Sequence, residues 1–412
     1  MMKRRVVVTG LGSINAIGHN VAETWESIKN GINGIDTISL FDAGHMKVQL
    51  AGEVKNLNLK DYLNPKEARK MDRFTQLGMI ASLEAYKDAR LNESTINTHR
   101  FGVNVSSGIG GLKTIEDNYQ KGLEKGFDRV SPFFIPMAIS NLASGQIAIA
   151  IKAQGMASCP VTACAGGTNA IGEAFRIIRD GYLDIMLAGG CESSITPLGI
   201  GGFTAMKALS ESHDKNRASI PFDAQRHGFV MGEGAGILIL EELEHALKRN
   251  APIYAEIIGY GVSCDAYHMT APSPNGEGGA YAMDNALKDA DIDYHDIDYI
   301  NAHGTSTLLN DSGETAAIKT VFKEHAKKLF ISSTKGNTGH CLGAAGGIEA
   351  VICIKALENS YVPATINYQE KDPECDLNIT PNKGQALDMH YCMSNSLGFG
   401  GHNASIIFKE YK

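Results

Sequence analysis

Three short segments of this chain occur twice and in the same order, and that ordered repetition limits the possible folds more than any other feature. Glu84-Ala85-Tyr86-Lys87-Asp88-Ala89 precedes the strand-like run 101–105, and Asn285-Ala286-Leu287-Lys288-Asp289-Ala290 precedes the strand-like run 298–301. The turn at Cys164, with Gly172-Glu173-Ala174, is echoed by the turn at His340, with Ile348-Glu349-Ala350. Gly232-Glu233-Gly234, leading into an apolar run, is echoed by Gly400-Gly401-His402 leading into another. Apolar runs alternate with helical patterns throughout, which predicts an α/β class. At 412 residues the chain is longer than one typical domain. The expectation is two related α/β halves, 1–250 with a nucleophile and 251–412 with its partners, joined near residues 249–251.

Cys164 stands in Pro160-Val161-Thr162-Ala163-Cys164-Ala165-Gly166-Gly167, ahead of Ile171, Ala174, Phe175 and Ile178 at helical spacing. Small neighbours permit a tight turn and a close approach to the sulfur. A helix N-terminus favours negative charge and lowers a thiol pKa, so the expectation is an activated nucleophile. Taken alone, Cys164 reads more simply as a small core residue. Later turns alter that reading. The run 298–302 ends in His303, with Gly304-Thr305-Ser306-Thr307 after it, and the run 331–334 ends in Lys335-Gly336-Asn337-Thr338-Gly339-His340. A further glycine-rich turn, Gly398-Phe399-Gly400-Gly401, follows the strand-like run 391–394. Reactive groups of open sheets collect at the carboxyl ends of strands, so these turns make one candidate constellation.

Thr162-Ala163-Cys164-Ala165, Asn301-Ala302-His303-Gly304-Thr305-Ser306-Thr307, Lys335 through His340, and Asn395-Ser396-Leu397-Gly398-Phe399-Gly400-Gly401-His402-Asn403 resemble the signature segments of the β-ketoacyl-acyl carrier protein synthases, over the whole chain. The Cys, His, His set resembles the elongating branch; the initiating branch has Asn in place of one His, and the more distant thiolases use a second cysteine in a segment not found here. The resemblance implies a thiolase-like fold, two βαβαβαββ units in a layered α-β-α-β-α sandwich. It implies decarboxylative condensation of malonyl-acyl carrier protein with an acyl group held on Cys164. His303 and His340 would stabilise the enolate through Nε2 donors. Lys335, with Glu349 as its partner, would order the site. The backbone N–H groups of Cys164 and Phe399 would form the oxyanion hole. Phe399 and Gly400 would be the gate, Thr305 and Thr307 would bind the pantetheine arm, and Ile109 and Phe203 would line the acyl pocket. A homodimer and acyl carrier protein as partner are implied as well. Departures from the family pattern stand at Gly166 (commonly Thr or Ser), Asn169 (His), Leu308 (Pro) and His227 (Asp). A polyketide condensing enzyme, a non-catalytic chain-length subunit and a Cys–His hydrolase remain alternatives; the cysteine argues against the second.

The net charge of −8 argues against nucleic acid as a general partner. No apolar run is long enough for a membrane span and no signal peptide is seen, while eight cysteines without a C-x-x-C pair do not suggest a disulfide framework. A reducing cytoplasm is expected. The histidines are too scattered for metal-ligand spacing, so neither a metal nor a cofactor is expected; His213, His227 and His268 read as surface or structural. Gly10-Leu11-Gly12 lacks the third glycine of a dinucleotide loop, with Asn15 in its place, and reads as a tight turn. Lys66, Arg69, Lys70 and Arg73 fall at i, i+3, i+4 and i+7 after Pro65, predicting one basic helical face. Lys66, Arg69 and Lys70 are the candidate docking residues for the acidic carrier protein.

Overall fold

The computed structural model describes residues 3–412. The first half runs β1 (Val6–Asn15), α1 (Arg73–Asp88), β2 (Phe101–Ser106), α2 (Leu142–Ile151), β3 (Ala157–Ser158), α3 (Gly166–Arg179), β4 (Ile185–Glu192) and β5 (Gly234–Glu242). The second runs β6 (Ala255–Cys264), α4 (Glu277–Ala290), β7 (Tyr299–Asn301), α5 (Leu308–Phe322), β8 (Phe330–Ser332), α6 (Ala345–Glu358), β9 (Tyr391–Gly398) and β10 (His402–Glu410). Each half is thus a βαβαβαββ unit.

The strand order is β8-β7-β9-β10-β6-β1-β5-β4-β2-β3, two five-stranded sheets of identical topology. They join where Val6, Val7 and Val8 pair antiparallel with Ile257, Glu256 and Ala255. Side chains alternate across each strand, and the alternation builds the layers. On β5, Ile237 and Ile239 face an outer core with Phe74, Leu77 and Ile147, whereas Leu238 and Leu240 face a central core. On β10, Ile407 packs outward against Met283 and Ile318, while Ile406 and Phe408 turn inward. The central core belongs to α3 and α6, which lie between the sheets. All residues of α6 from Ala345 to Ile354 are buried, as a helix apolar on every side requires.

Two of the three sequence echoes keep their register. Gly10 on β1 lies against Ala85 and Ala89, and Gly259 on β6 lies against Ala286 and Ala290. The Gly232 and Gly400 echoes lead into β5 and β10. The third is one helical turn out of step. The 3₁₀ turns Ala163–Ala165 and Leu342–Ala344 are the true equivalents, both opening on a residue of left-handed backbone, Ala163 (φ 49°) and Leu342 (φ 47°). The basic stripe is not one helix face. Asn64 caps a short helix, Pro65–Ala68, and Asp72 caps α1 as a new helix. Arg73 then turns inward to Glu233, donating from Nε at 2.7 Å and Nη2 at 2.6 Å.

The central layer depends on bare backbone. A Cβ on Gly347 of α6 would lie 2.2 Å from the carbonyl oxygen of Gly236 on β5, and one on Gly167 of α3 would lie 2.7 Å from the Gly347 nitrogen. Gly347→Ala should therefore lower unfolding stability by about 1–3 kcal/mol, as overpacking typically does. Gly201→Ala, where a Cβ meets nothing within 4 Å, should change little. Urea titration of both variants measures the difference; equal stability would contradict the packing described.

Candidate active site

Four strand ends deliver the site. Beyond β3 the chain makes the 3₁₀ turn that holds Cys164, immediately before α3. Beyond β7 comes His303, beyond β8 come Lys335 and His340, and β9 ends at Gly398 beside Phe399. His340 is fixed by the first half: its N–H donates to Val230 O at 2.7 Å, and Gly232 N donates to its carbonyl at 2.9 Å. His340 Nε2 lies 3.1 Å from Cys164 Sγ. The His303 ring stands edge-on to His340, with centroids 5.2 Å apart.

Lys335 is buried beneath both histidines. Its ammonium pairs with Glu349, donates to His303 O at 2.5 Å and reaches His303 Nδ1 at 3.5 Å. A donor at Nδ1 assigns the His303 proton to Nε2, which faces the cavity. Burial, and then the Lys335 charge, hold both imidazoles well below their ordinary pKa. Both are neutral donors at pH 7. Burial also acts on Cys164. Its thiol is pushed up to about 12, against the pull of Lys335 and of the Phe399 and Cys164 backbone N–H groups. This runs against the expectation of a thiol activated by its helix N-terminus: removal from water outweighs Lys335 and the two backbone N–H groups. The resting pair is a neutral thiol beside a neutral imidazole.

A cavity of about 390 Å³ contains Ile109, Cys164, Phe203, His303, Thr305, Thr307, His340 and Phe399. Thr305 and Thr307 touch through their hydroxyls at 2.9 Å. Phe203 stands between Phe399 and Phe229, with centroids at 6.3 and 5.6 Å, and Phe229 packs on His340 at 5.1 Å. Gly400 (φ 86°) lets the Phe399 loop turn back, and its N–H donates to Met269 O at 2.7 Å. Lys66 and Arg69 are exposed and Lys70 pairs with Glu67 at 3.0 Å; none of the three lines the cavity. Cys164, His303 and His340 offer ligand atoms within 4.8 Å of one another, a donor set a soft cation could use. The Lys335 ammonium beneath them opposes a further positive charge.

Each departure from the family pattern has a local setting. A Cβ on Gly166 would lie 2.0 Å from Ser106 Oγ, so this serine occupies the space a larger residue would need. Asn169 donates to Thr162 Oγ1 at 2.6 Å. His227 accepts or donates at Ser210 Oγ, 3.0 Å away, and Leu308 is exposed where it lines the cavity. Two buried acids were missed. Glu314 accepts the N–H groups of His303 and Gly304, each at 2.8 Å, and burial pushes its carboxyl up to about 7. Glu192 accepts from Gly108 N at 2.7 Å and Gly343 N at 3.1 Å, tying the halves together beside Ile109. Asp311 and Glu314, acids three apart just after the His303 turn, were the available signal for the first. Glu192 had none.

The N-terminal domain of β-ketoacyl synthases matches residues 3–246, and their C-terminal domain matches residues 254–369. The chain is 52% identical over 409 residues to a 3-oxoacyl-[acyl-carrier-protein] synthase 2 of Staphylococcus aureus (strain COL), covering 99% of each chain. It is 50% identical over 411 residues to the protein of that name from Synechocystis, covering 100% of this chain and 99% of the other. Among solved structures, a ketosynthase complex with its type II polyketide acyl carrier protein aligns at TM-score 0.92 with 37% identity over both whole chains. A β-ketoacyl synthase from Burkholderia phymatum aligns at TM-score 0.92 with 34% identity, over 99% of this chain and 100% of that one. The chain belongs to the β-ketoacyl synthase family, with its thiolase-like fold.

The thiol environment yields a pH test. With its pKa near 12, Cys164 should be alkylated by iodoacetamide about tenfold faster per pH unit from pH 7 to 10, without a plateau, since only the thiolate reacts. Exposed Cys264 should be modified before it. Peptide mapping over the pH series reads both, and a Cys164 plateau below pH 8 would reveal a thiolate–imidazolium pair instead.

Proposed function

We propose that this chain elongates fatty acids by decarboxylative Claisen condensation, with Cys164 as nucleophile and His303 and His340 as the enolate-stabilising pair. The observation that carries this reading is the neutral Cys164–His340 pair, 3.1 Å apart, with His303 alongside in one cavity. In the first half-reaction Cys164 Sγ attacks the acyl thioester carbon. The carbon–sulfur bond to pantetheine breaks and the departing sulfur leaves with the thiol proton, while His340 keeps its own proton on Nε2; holding the acyl group on Cys164 splits one difficult step into two. The N–H groups of Cys164 and Phe399, already directed at the sulfur, support an oxyanion role for the thioester oxygen.

In the second half-reaction the malonyl thioester oxygen accepts from Nε2–H of both histidines. The bond to the carboxylate breaks, carbon dioxide leaves, and the electron pair forms an enolate. Its carbon attacks the acyl–Sγ carbonyl, and the thiolate departs and takes up one proton from solvent. Neutral imidazoles suit this work, because an imidazolium would protonate the carbanion. Lys335, paired with Glu349, fixes the His303 tautomer. Thr305 and Thr307 take the pantetheine arm, Ile109 and Phe203 line the acyl chain, and Phe399 with Gly400 gates entry. Identity of 50–52% to 3-oxoacyl-[acyl-carrier-protein] synthases 2, against 37% to the ketosynthase of a type II polyketide system, supports the fatty-acid reading over a polyketide one.

Acyl carrier protein is the partner, docking at Lys66, Arg69 and Lys70. We also infer a homodimer. Tyr119, Leu123, Phe127, Ile135 and Ile149 are exposed apolar residues of the first half, and β3 is its outermost strand; a second copy would cover both. Residues 1–250 and 251–412 are read as the two domains. No helix among the described residues is long and apolar enough to cross a membrane, which accords with a cytoplasmic setting.

Half-reaction kinetics test the histidines. His303→Ala or His340→Ala should slow malonyl decarboxylation by about 10²–10³, the usual cost of one such donor, and acyl transfer to Cys164 far less. Equal losses in both steps would mean that the histidines serve chiefly to activate the thiol. Charge reversal at Lys66, Arg69 and Lys70 tests docking. Activity with carrier-bound substrate should fall and lose its salt dependence, while activity with acyl-pantetheine stays, because rim charges act through steering. An unchanged ratio between the two substrates would leave these residues as a solvated surface.

A further inference from the structure

The turn that presents Cys164 is strained, and its restraints come from the other half of the molecule. Ala163 holds a left-handed backbone (φ 49°) that costs a residue with a Cβ free energy, so the surroundings must impose it. Thr162 precedes it, and its hydroxyl accepts from Asn169 Nδ2 at 2.6 Å. Asn169 lies in the first turn of α3, and its Oδ1 accepts from the Tyr260 hydroxyl at 2.8 Å. Both partners are hydroxyls, each able to donate or accept, so the amide is held at both ends.

Tyr260 belongs to β6 in the second half and is 2% exposed. Its ring is held on two sides. The Arg176 guanidinium lies 4.6 Å over it while donating to Tyr260 O at 3.0 Å, and Gly172 leaves it room, because a Cβ there would lie 2.2 Å from the ring. The neighbouring residue makes a parallel link: Thr168 Oγ1 lies 2.8 Å from Ser396 Oγ on β9, just ahead of Phe399. The first turn of α3 is therefore tied twice to the second half, and one tie continues into the strained turn.

We propose that Asn169 is a positioning residue for the nucleophile, transmitting the placement of β6, through the Tyr260 hydroxyl, to the turn that aligns Cys164 Sγ and its N–H. This rests on the reading of Cys164 as the acylated residue. Asn169 touches no substrate; it acts on the acyl-transfer step through Thr162 and Ala163. His303 and His340 are anchored elsewhere, by Glu314 and by residues 230–232, so decarboxylation is independent of this chain of bonds.

The test compares Tyr260→Phe, Asn169→Leu and Asn169→His with the wild type, using the full chain. Acyl transfer from an acyl-pantetheine thioester to Cys164 is followed by rapid quench and intact mass, malonyl decarboxylation is measured separately, and unfolding midpoints are recorded. Tyr260→Phe and Asn169→Leu should each slow acylation by about tenfold at unchanged KM, the effect of leaving a buried partner unbonded. Decarboxylation should stay within about twofold, as independent anchoring requires. Asn169→His keeps one donor and one acceptor and should restore most of the rate. Wild-type acylation in both Tyr260→Phe and Asn169→Leu would overturn the proposal. So would acylation and decarboxylation falling in parallel with the unfolding midpoint, the signature of a purely structural role. A wild type never acylated at Cys164 would remove the functional reading itself, a result distinct from slow acylation confined to the variants.

Discussion

The side-chain-free contact between the starts of the two central helices sets everything else in this molecule. Gly167 of α3 meets the backbone of residues 343–347, and Gly347 of α6 meets the Gly236 carbonyl of β5. Without side chains between them, the turns ahead of these helices come together, one bearing Cys164 and the other following His340. The 3.1 Å contact of Sγ with Nε2 is a consequence of that packing rather than of any local motif. The duplication supplies the geometry: two sheets of the same topology, joined along β1 and β6, present their strand ends on a common side.

One buried ammonium organises the electrostatics. Lys335 fixes the His303 proton on Nε2, adds to the burial that keeps both imidazoles uncharged, and draws the Cys164 thiol back toward ionisation against the stronger effect of burial. Glu349 balances its charge in the interior, where removing either partner would leave an uncompensated ion at a cost of about 3–5 kcal/mol. The outcome is a site poised neutral, able to donate hydrogen bonds to an enolate and unable to protonate it. Glu314 completes it by holding the His303 and Gly304 N–H groups from α5.

The echoes made the two-unit α/β architecture legible because each marks a place where helix and strand backbones touch, as Gly10 does on Ala85 and Gly259 on Ala286. Cys164, His303, Lys335, His340 and Phe399 were legible for a related reason: each closes a strand with a turn of small residues. Other features depend on distance in space, not in sequence. Nothing near Asn169 announces Tyr260, 91 residues away, and nothing near Glu192 announces Gly343. The stripe at 66–73 misled because periodicity alone cannot show that Asn64 and Asp72 each begin a helix. The thiol misled because a helix N-terminus is visible in sequence, whereas the depth of burial opposing it is not.

Intact-protein mass spectrometry through one turnover tests the central claim most directly. Incubation with acyl-acyl carrier protein should add one acyl group to the chain, mapped to Cys164, and stable in the absence of malonyl groups. Adding malonyl-acyl carrier protein should discharge it, with the acyl mass reappearing on the carrier as the 3-oxoacyl product lengthened by two carbons and one carbon dioxide released per discharge. Acylation at another residue, or discharge of Cys164 to free acid without a lengthened product, would contradict the account.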